Sequence, residues 1–161
     1  MGSESKILDT TTLPSWRAGL RAADRKLVVT NGCFDLLHPG HVAYLESARA
    51  LGDALLIGLN GDDSVRQLKG PSRPLNTELD RARVIAALGC VDAVCIFSEM
   101  RATRFLSWVQ PDIYVKGGDY TLETIDQNER RAVEEGGGRI SFLAFVPGKS
   151  TTGLLEKIQR L

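Results

Sequence analysis

The chain carries only three cysteines, Cys33, Cys90 and Cys95, and no Cys-x-x-Cys pair in its 161 residues. An odd, scattered set excludes a disulfide framework and a structural zinc site, and reduced thiols are the default. Cys90 and Cys95 flank Val91, Ala93 and Val94 and read as small core residues. Nor is there an excess of charge of either sign: 20 Lys and Arg stand against 20 Asp and Glu. General nucleic-acid binders and membrane-surface binders carry a clear basic excess, so neither is expected as a partner. Local basic clusters could still hold a phosphorylated small molecule. No apolar run approaches the roughly 20 residues of a membrane helix, and Met1-Gly2-Ser3-Glu4-Ser5-Lys6 has no signal-peptide core. The expected location is therefore cytoplasmic. Internal repeats, low-complexity tracts and linkers are also missing. What remains, 43% hydrophobic and 25% charged, is ordinary for a globular protein with a real core.

The most informative stretch is Val28-Val29-Thr30-Asn31-Gly32-Cys33-Phe34-Asp35-Leu36-Leu37-His38-Pro39-Gly40-His41-Val42. It begins as an apolar strand, turns at Asn31-Gly32, and reaches a helix start marked by Val42, Leu45 and Ala48. Two imidazoles three positions apart at a helix opening share one face, where unsatisfied amides and the positive end of the helix dipole attract anions. Gly40 lets the backbone approach a ligand, and Pro39 stiffens the turn.

Taken in order, residues 1–12 are polar and unpatterned and are expected to form a disordered N-terminal tail. Trp16, Leu20 and Ala23 predict an amphipathic helix, Lys26 to Thr30 the first strand, and Gly40 to Leu51 a helix ending at Gly52-Asp53. Ala54 to Asn60 is an almost unbroken apolar run, the mark of a central parallel strand covered on both faces. Ser64 to Pro74 is a short helix followed by a glycine and proline loop carrying Lys69 and Arg73, the composition of a mobile lid. A helix capped at Asn76 or Thr77 runs to Leu88. Strands over 91–97, 113–116 and 140–145 alternate with helices over 101–109 and 128–135, and Ser150-Thr151 opens a last helix. Alternating strands and helices predict an α/β fold, a doubly wound parallel sheet of five strands, Rossmann-like. Ligands in such sheets bind beyond the carboxyl ends of the strands, at the switch in strand order. His38, His41, Asn60, Lys69, Lys116, Asp119, Ser150 and Thr151 all follow strand ends or open helices. Arg81 and Asp92 read as structural ion pairs.

The run from Gly32 to His41 resembles the signature of the cytidylyltransferase-like nucleotidyltransferases, whose His-x-Gly-His motif binds a nucleotide triphosphate. Gly148-Lys149-Ser150-Thr151-Thr152 resembles the Ser-Thr-Thr helix start of the same family, about a hundred residues later and in the expected order. The resemblance covers residues 26 to 158 and implies a single nucleotidyltransferase domain over 13–161. It implies catalytic roles for His38, His41, Lys69, Ser150 and Thr151. Nucleotide contacts are implied for Asn31, Gly32, Cys33, Phe34, Asp35, Gly40, Lys116, Gly117, Asp119, Gly148, Lys149 and Thr152, and substrate contacts for Asn60, Lys69 and Arg73. Asp35 reads either as a turn residue or as an anchor near the phosphates and a metal. Mg2+ is expected on the triphosphate, with no metal site built from protein ligands alone.

Within the family, the segments Thr30 to Asp35, Leu68 to Pro74, Val115 to Tyr120 and Phe145 to Thr152 are most similar to the adenylyltransferase domain of the bifunctional heptose enzymes. That likeness implies ATP and D-glycero-β-D-manno-heptose 1-phosphate as substrates, and ADP-heptose for lipopolysaccharide inner-core synthesis as product. It also implies a separate kinase and phosphatase upstream, since no kinase domain accompanies these residues. Family members often form dimers, which makes a homodimer an expectation. A CTP-dependent glycerol- or alcohol-phosphate cytidylyltransferase and an FMN adenylyltransferase remain alternatives, because the physics of the sequence does not choose the base. A non-catalytic nucleotide-binding regulator is the alternative of a different class.

Overall fold

The computed structural model describes residues 2–161. Six parallel strands, β1 (Ile7–Leu8), β2 (Leu27–Gly32), β3 (Ala54–Asn60), β4 (Ala93–Phe97), β5 (Ile113–Gly117) and β6 (Arg139–Leu143), form one sheet in the order β1-β4-β3-β2-β5-β6. Seven α-helices accompany them among the described residues: α1 (Leu13–Ala22), α2 (Pro39–Arg49), α3 (Asp62–Lys69), α4 (Glu78–Ala86), α5 (Thr103–Val109), α6 (Gln127–Glu135) and α7 (Thr151–Gln159).

The sheet is α/β and parallel, as expected, but has one strand more than the pattern predicts. Residues 3–12 are not a tail: Ser3–Lys6 forms a 3-10 turn, and Ile7 and Leu8 pair with Val94 and Cys95 at the edge of β4. Two apolar residues are too few to show a period of two. The strand exists because β4 offers an edge and Lys6 Nζ donates to the carbonyls of Leu88 (3.3 Å) and Val91 (2.7 Å).

All seven residues of β3 are buried, as a strand covered on both faces requires. Alternate side chains of β2 point to opposite layers. Leu27 and Val29 pack with Leu20, Phe105, Leu106 and Val133 of α1, α5 and α6; Val28 packs with Leu45, Ala82 and Ile85 of α2 and α4. From β2 the chain winds outward through β3 and β4, then returns to lay β5 and β6 on the other side of β2. The switch in strand order falls between β2 and β5, so the loops leaving these two strands diverge and open a cleft between them.

Arg81 locks the rim of that cleft. Its guanidinium, 1% exposed, donates to the carbonyls of Cys33 (2.6 Å), Asn60 (2.8 Å) and Asn76 (3.0 Å) and to Asp62 Oδ1 (2.8 Å). One buried cation thereby ties the ends of β2 and β3 to the loop before α4. Asp92 pairs with Arg49 at 2.8 Å, the second of the two expected structural pairs.

Candidate active site

The cleft at the switch point has a volume of about 600 Å³ and is lined by residues that follow β2, β3, β4 and β5 together with the start of α7. Five basic side chains line it, Lys69, Arg73, Arg101, Lys116 and Lys149, against two acids, Asp35 and Glu129, so it favours an anion. A second hollow of about 710 Å³ lies by β1 and β4, but Asp62, Asp63, Glu78 and Glu99 line it with Arg104 as their lone cation. Phosphates are repelled there.

The histidines sit at the floor of the basic cleft, and their geometry fixes which atoms face a ligand. His38 is the N-cap of α2, and its Nδ1 accepts from the Gly40 amide at 3.1 Å. Its own amide donates to His41 Nδ1 at 3.3 Å, so the two residues close a reciprocal capping box. With both Nδ1 atoms accepting, a neutral imidazole carries its proton on Nε2. Burial pushes the His41 pKa down to about 4, helped by His38; burial and the Lys149 cation lower that of His38. Both rings, 3.9 Å apart between centroids, are therefore neutral Nε2–H donors at pH 7. Gly40 is required by crowding: a Cβ there would lie 2.9 Å from the His38 ring and 3.0 Å from Lys149 Cβ.

The approach to the histidines is strained. Phe34 has φ 46, a left-handed conformation that costs a bulky residue energy, and its buried ring meets His41 edge-on at 5.6 Å. Beyond it Asp35, with its side chain 1% exposed, accepts from Arg73 Nε (2.8 Å) and from the amides of Leu75 (2.7 Å) and Asn76 (2.9 Å). Burial pushes its carboxyl up, but these bonds and the Arg73 charge outweigh that and hold it below the usual value. Asp35 is thus spent on the loop between α3 and α4. The same loop leaves Lys69, at the end of α3, exposed on the rim.

The opposite wall is built by β5 and α7. Ser150 is the N-cap of α7 and accepts from Gly153 N at 3.0 Å, while Thr151 Oγ1 donates to the Leu36 carbonyl at 3.2 Å. That bond docks the second helix start against the loop carrying His38. Phe145 lies on Gly117 and Gly118, where a Cβ would come within 2.6 Å of its ring. Lys116 Nζ lies 3.5 Å from Glu129 Oε2 and 5.5 Å from the centroids of Tyr114 and Tyr120.

Residues 29–142, which run from β2 through the His-Pro-Gly-His helix start to β6, match a family profile described as cytidylyltransferase-like. The chain belongs to the cytidylyltransferase-like family.

Relatives span nearly all of the chain. It is 51% identical over 156 residues to the bifunctional protein HldE of Trichlorobacter lovleyi, covering 97% of this chain and 31% of that protein. It is 50% identical over 157 residues to the HldE of Geotalea uraniireducens, covering 98% and 32%. The chain thus spans about a third of the length of the curated relatives it matches. A crystal structure of the lipopolysaccharide core biosynthesis protein from Thermoplasma volcanium superposes with a TM-score of 0.61 at 28% identity, over 76% of this chain and 97% of that one.

For a member of the cytidylyltransferase-like family, the cleft gathers most of the residues picked out by the sequence. Asn31, Gly32, Cys33, Phe34, His38, Gly40, His41, Lys69, Arg73, Lys116, Gly117, Lys149, Ser150, Thr151 and Thr152 all line it. Asp35 and Asn60 line it too, with their side chains bonded inside the protein, and two expected residues lie outside it. Asp119 is exposed on the turn after β5 and does not line the cleft, because Gly118 at φ 95 swings the chain outward. Gly148, at φ 75, makes the turn into α7 without lining the cleft. Asp35 borders the cleft, but its carboxylate holds the loop. Asn60, 3% exposed, gives its amide to Ser64 Oγ at 3.2 Å. Cys33 keeps its thiol proton: burial pushes it up despite Lys69, Arg81 and Arg73 nearby.

Met100, Arg101, Tyr120, Glu129 and Phe145 line the cleft without having been assigned a role. Met100 and Arg101 follow the end of β4, where the rule of strand carboxyl ends places ligand contacts. Glu129 had a signal of its own, an acid sharing a helix face with Ala132 and Val133.

Proposed function

We propose that this chain is a nucleotidyltransferase joining ATP and D-glycero-β-D-manno-heptose 1-phosphate to give ADP-heptose and pyrophosphate, a step toward lipopolysaccharide inner core. The observation that carries the chemistry is the pair of neutral Nε2–H donors at the start of α2, facing the start of α7 across a basic cleft. The adenylyl and heptose half of the reading is supported by the resemblance of Leu68 to Pro74 and Phe145 to Thr152, and by the 51% identity to the HldE of Trichlorobacter lovleyi.

A sugar phosphate is already an ionised nucleophile near neutral pH, so its attack on the α-phosphorus needs no general base. One sugar-phosphate oxygen bonds to that phosphorus as the bond to the β-phosphate oxygen breaks, and the electron pair leaves on pyrophosphate. Two anions must be brought together and the charge growing on the leaving group stabilised. His38 and His41 donate to the phosphates from the floor, Lys69 supplies a cation from the rim, and Ser150, Thr151 and the α7 amides complete the cradle. Magnesium would enter on the triphosphate. Among the described residues no group of three or more His, Cys, Asp or Glu could hold a metal ion, so phosphate oxygens and water would supply most of its ligands. The heptose phosphate would come from a kinase and a phosphatase, and a homodimer is the expected assembly.

The test is pyrophosphate release with magnesium and either ATP or CTP, offered heptose 1-phosphate, glycerol 3-phosphate or FMN in turn. Release with ATP and the heptose alone is the expected result. Release with CTP and glycerol 3-phosphate, or with ATP and FMN, would overturn the substrate assignment, and ATP binding with no release from any pair would point to a nucleotide-binding regulator.

A further inference from the structure

Glu129 is a carboxylate buried to 3% exposure under the cleft, and a buried charge without compensation costs several kcal/mol. Two uncharged donors hold it still. Oε1 accepts from the Ala102 amide at 2.9 Å, and Tyr114 Oη lies 3.1 Å from Oε2. Burial, and after it the Glu129 charge, push the Tyr114 hydroxyl far above its usual value, so it keeps its proton. Tyr114 Oη also lies 2.6 Å from Asn31 Oδ1. The one hydroxyl proton is therefore shared between the Asn31 amide oxygen and Glu129 Oε2, both of which lie within hydrogen-bond reach of Oη. The remaining direction of Oε2 faces Lys116 Nζ at 3.5 Å, the one cation paired with Glu129 among the described residues. An ammonium has three donors, and the Lys116 side chain, 18% exposed, uses one direction for Glu129 and keeps others toward the cleft.

We propose that Glu129 is the positioning residue that fixes the Lys116 ammonium on the floor of the cleft, through an ion pair whose carboxylate is itself pinned by Ala102 and Tyr114. The inference rests on the nucleotidyl-transfer reading of this cleft. A lysine on four rotatable bonds is otherwise free to follow any anion. Held by a carboxylate that cannot move, it presents its charge at one place before a phosphate arrives.

The test is a double-mutant cycle on Glu129→Gln and Lys116→Met, read by turnover in pyrophosphate release, by ATP affinity in calorimetry and by melting temperature. Glu129→Gln should lower turnover about 100-fold with its melting temperature within a few degrees of the parent. The double variant should fall no more than about twofold below Lys116→Met alone, because the two changes then remove one interaction. Turnover of Glu129→Gln close to the parent, or losses that multiply in the double variant, would overturn the proposal. If the parent releases no pyrophosphate with any substrate, the activity reading falls, and the cycle is read on ATP affinity by the same criterion. If Glu129→Gln does not fold, Glu129→Asp, which keeps the charge and withdraws it by one methylene, takes its place in the cycle.

Discussion

The chain has two histidines, and both serve the same few atoms of the cleft floor. Their Nδ1 atoms are occupied by backbone amides, so each ring presents a single N–H in a fixed direction and pays little reorganisation when charge develops nearby. His41→Ala removes one such donor, and turnover should fall about 100- to 1,000-fold. The melting temperature should shift only by the loss of a cap, a few degrees. Near-parental turnover would remove His41 from the mechanism. The same burial sets a pH dependence. The folded-state pKa of about 4 lies below the usual 6.5, so the unfolded chain binds the proton first as the pH falls. The contribution of His41 is therefore complete above pH 6.5 and lost progressively toward pH 4. Melting curves between these values should fall with pH in the parent and fall less in His41→Gln; equal slopes would mean that the ring is not desolvated.

At the level of elements, the loop between α3 and α4 is held at its far end and free at its near one. Asp35 fastens residues 73–76 through a guanidinium and two amides, whereas the Lys69 side chain forms no hydrogen bond or ion pair among the described residues. The two residues should accordingly separate stability from turnover. Asp35→Asn keeps the shape but sets an amide group against donors, and should cost about 1–3 kcal/mol of stability in chemical denaturation. Lys69→Ala should leave the denaturation midpoint unchanged and lower turnover by about 100-fold or more, since its cation acts on charge that grows in the transition state. A destabilised Lys69→Ala or a fully stable Asp35→Asn would reverse these assignments. The sequence made the loop legible through Gly70, Pro71 and Pro74, and the two helix starts through His38-Pro39-Gly40-His41 and Ser150-Thr151. It did not reveal that the Asp35 carboxylate is taken up by the loop, because its partners at 73–76 are about forty positions distant. Glu129 was hidden for a related reason: an acid on an apolar helix face has meaning only once β5 is known to lie beneath it.

At the scale of the molecule, the central strands were legible because burial on both faces leaves almost unbroken apolar runs, as in Ala54 to Asn60. The edge was not. A two-residue strand has no period to read, and Ile7–Leu8 is a strand only because β4 is there to pair with it. That edge lies on the far side of β3 from the switch point, so its contribution should be to stability and solubility rather than to catalysis. Ile7 and Leu8 are half-buried against the two core layers, and together they should be worth roughly 2–3 kcal/mol. Removal of residues 2–8 is expected to lower the melting temperature by about 5–10 °C. It should also promote association on heating, because the unpaired edge of β4 is a template for other chains. Turnover at a temperature where the shortened chain is fully folded should match the parent, since Arg81 of α4 still holds the end of β3 at Asn60 and Asp62. Circular dichroism melts and light scattering read the first two effects, and a pyrophosphate assay reads the third. A fall in turnover without a fall in melting temperature would mean that the edge strand reaches the cleft through β4 and β3, and that the sheet transmits strain across its width.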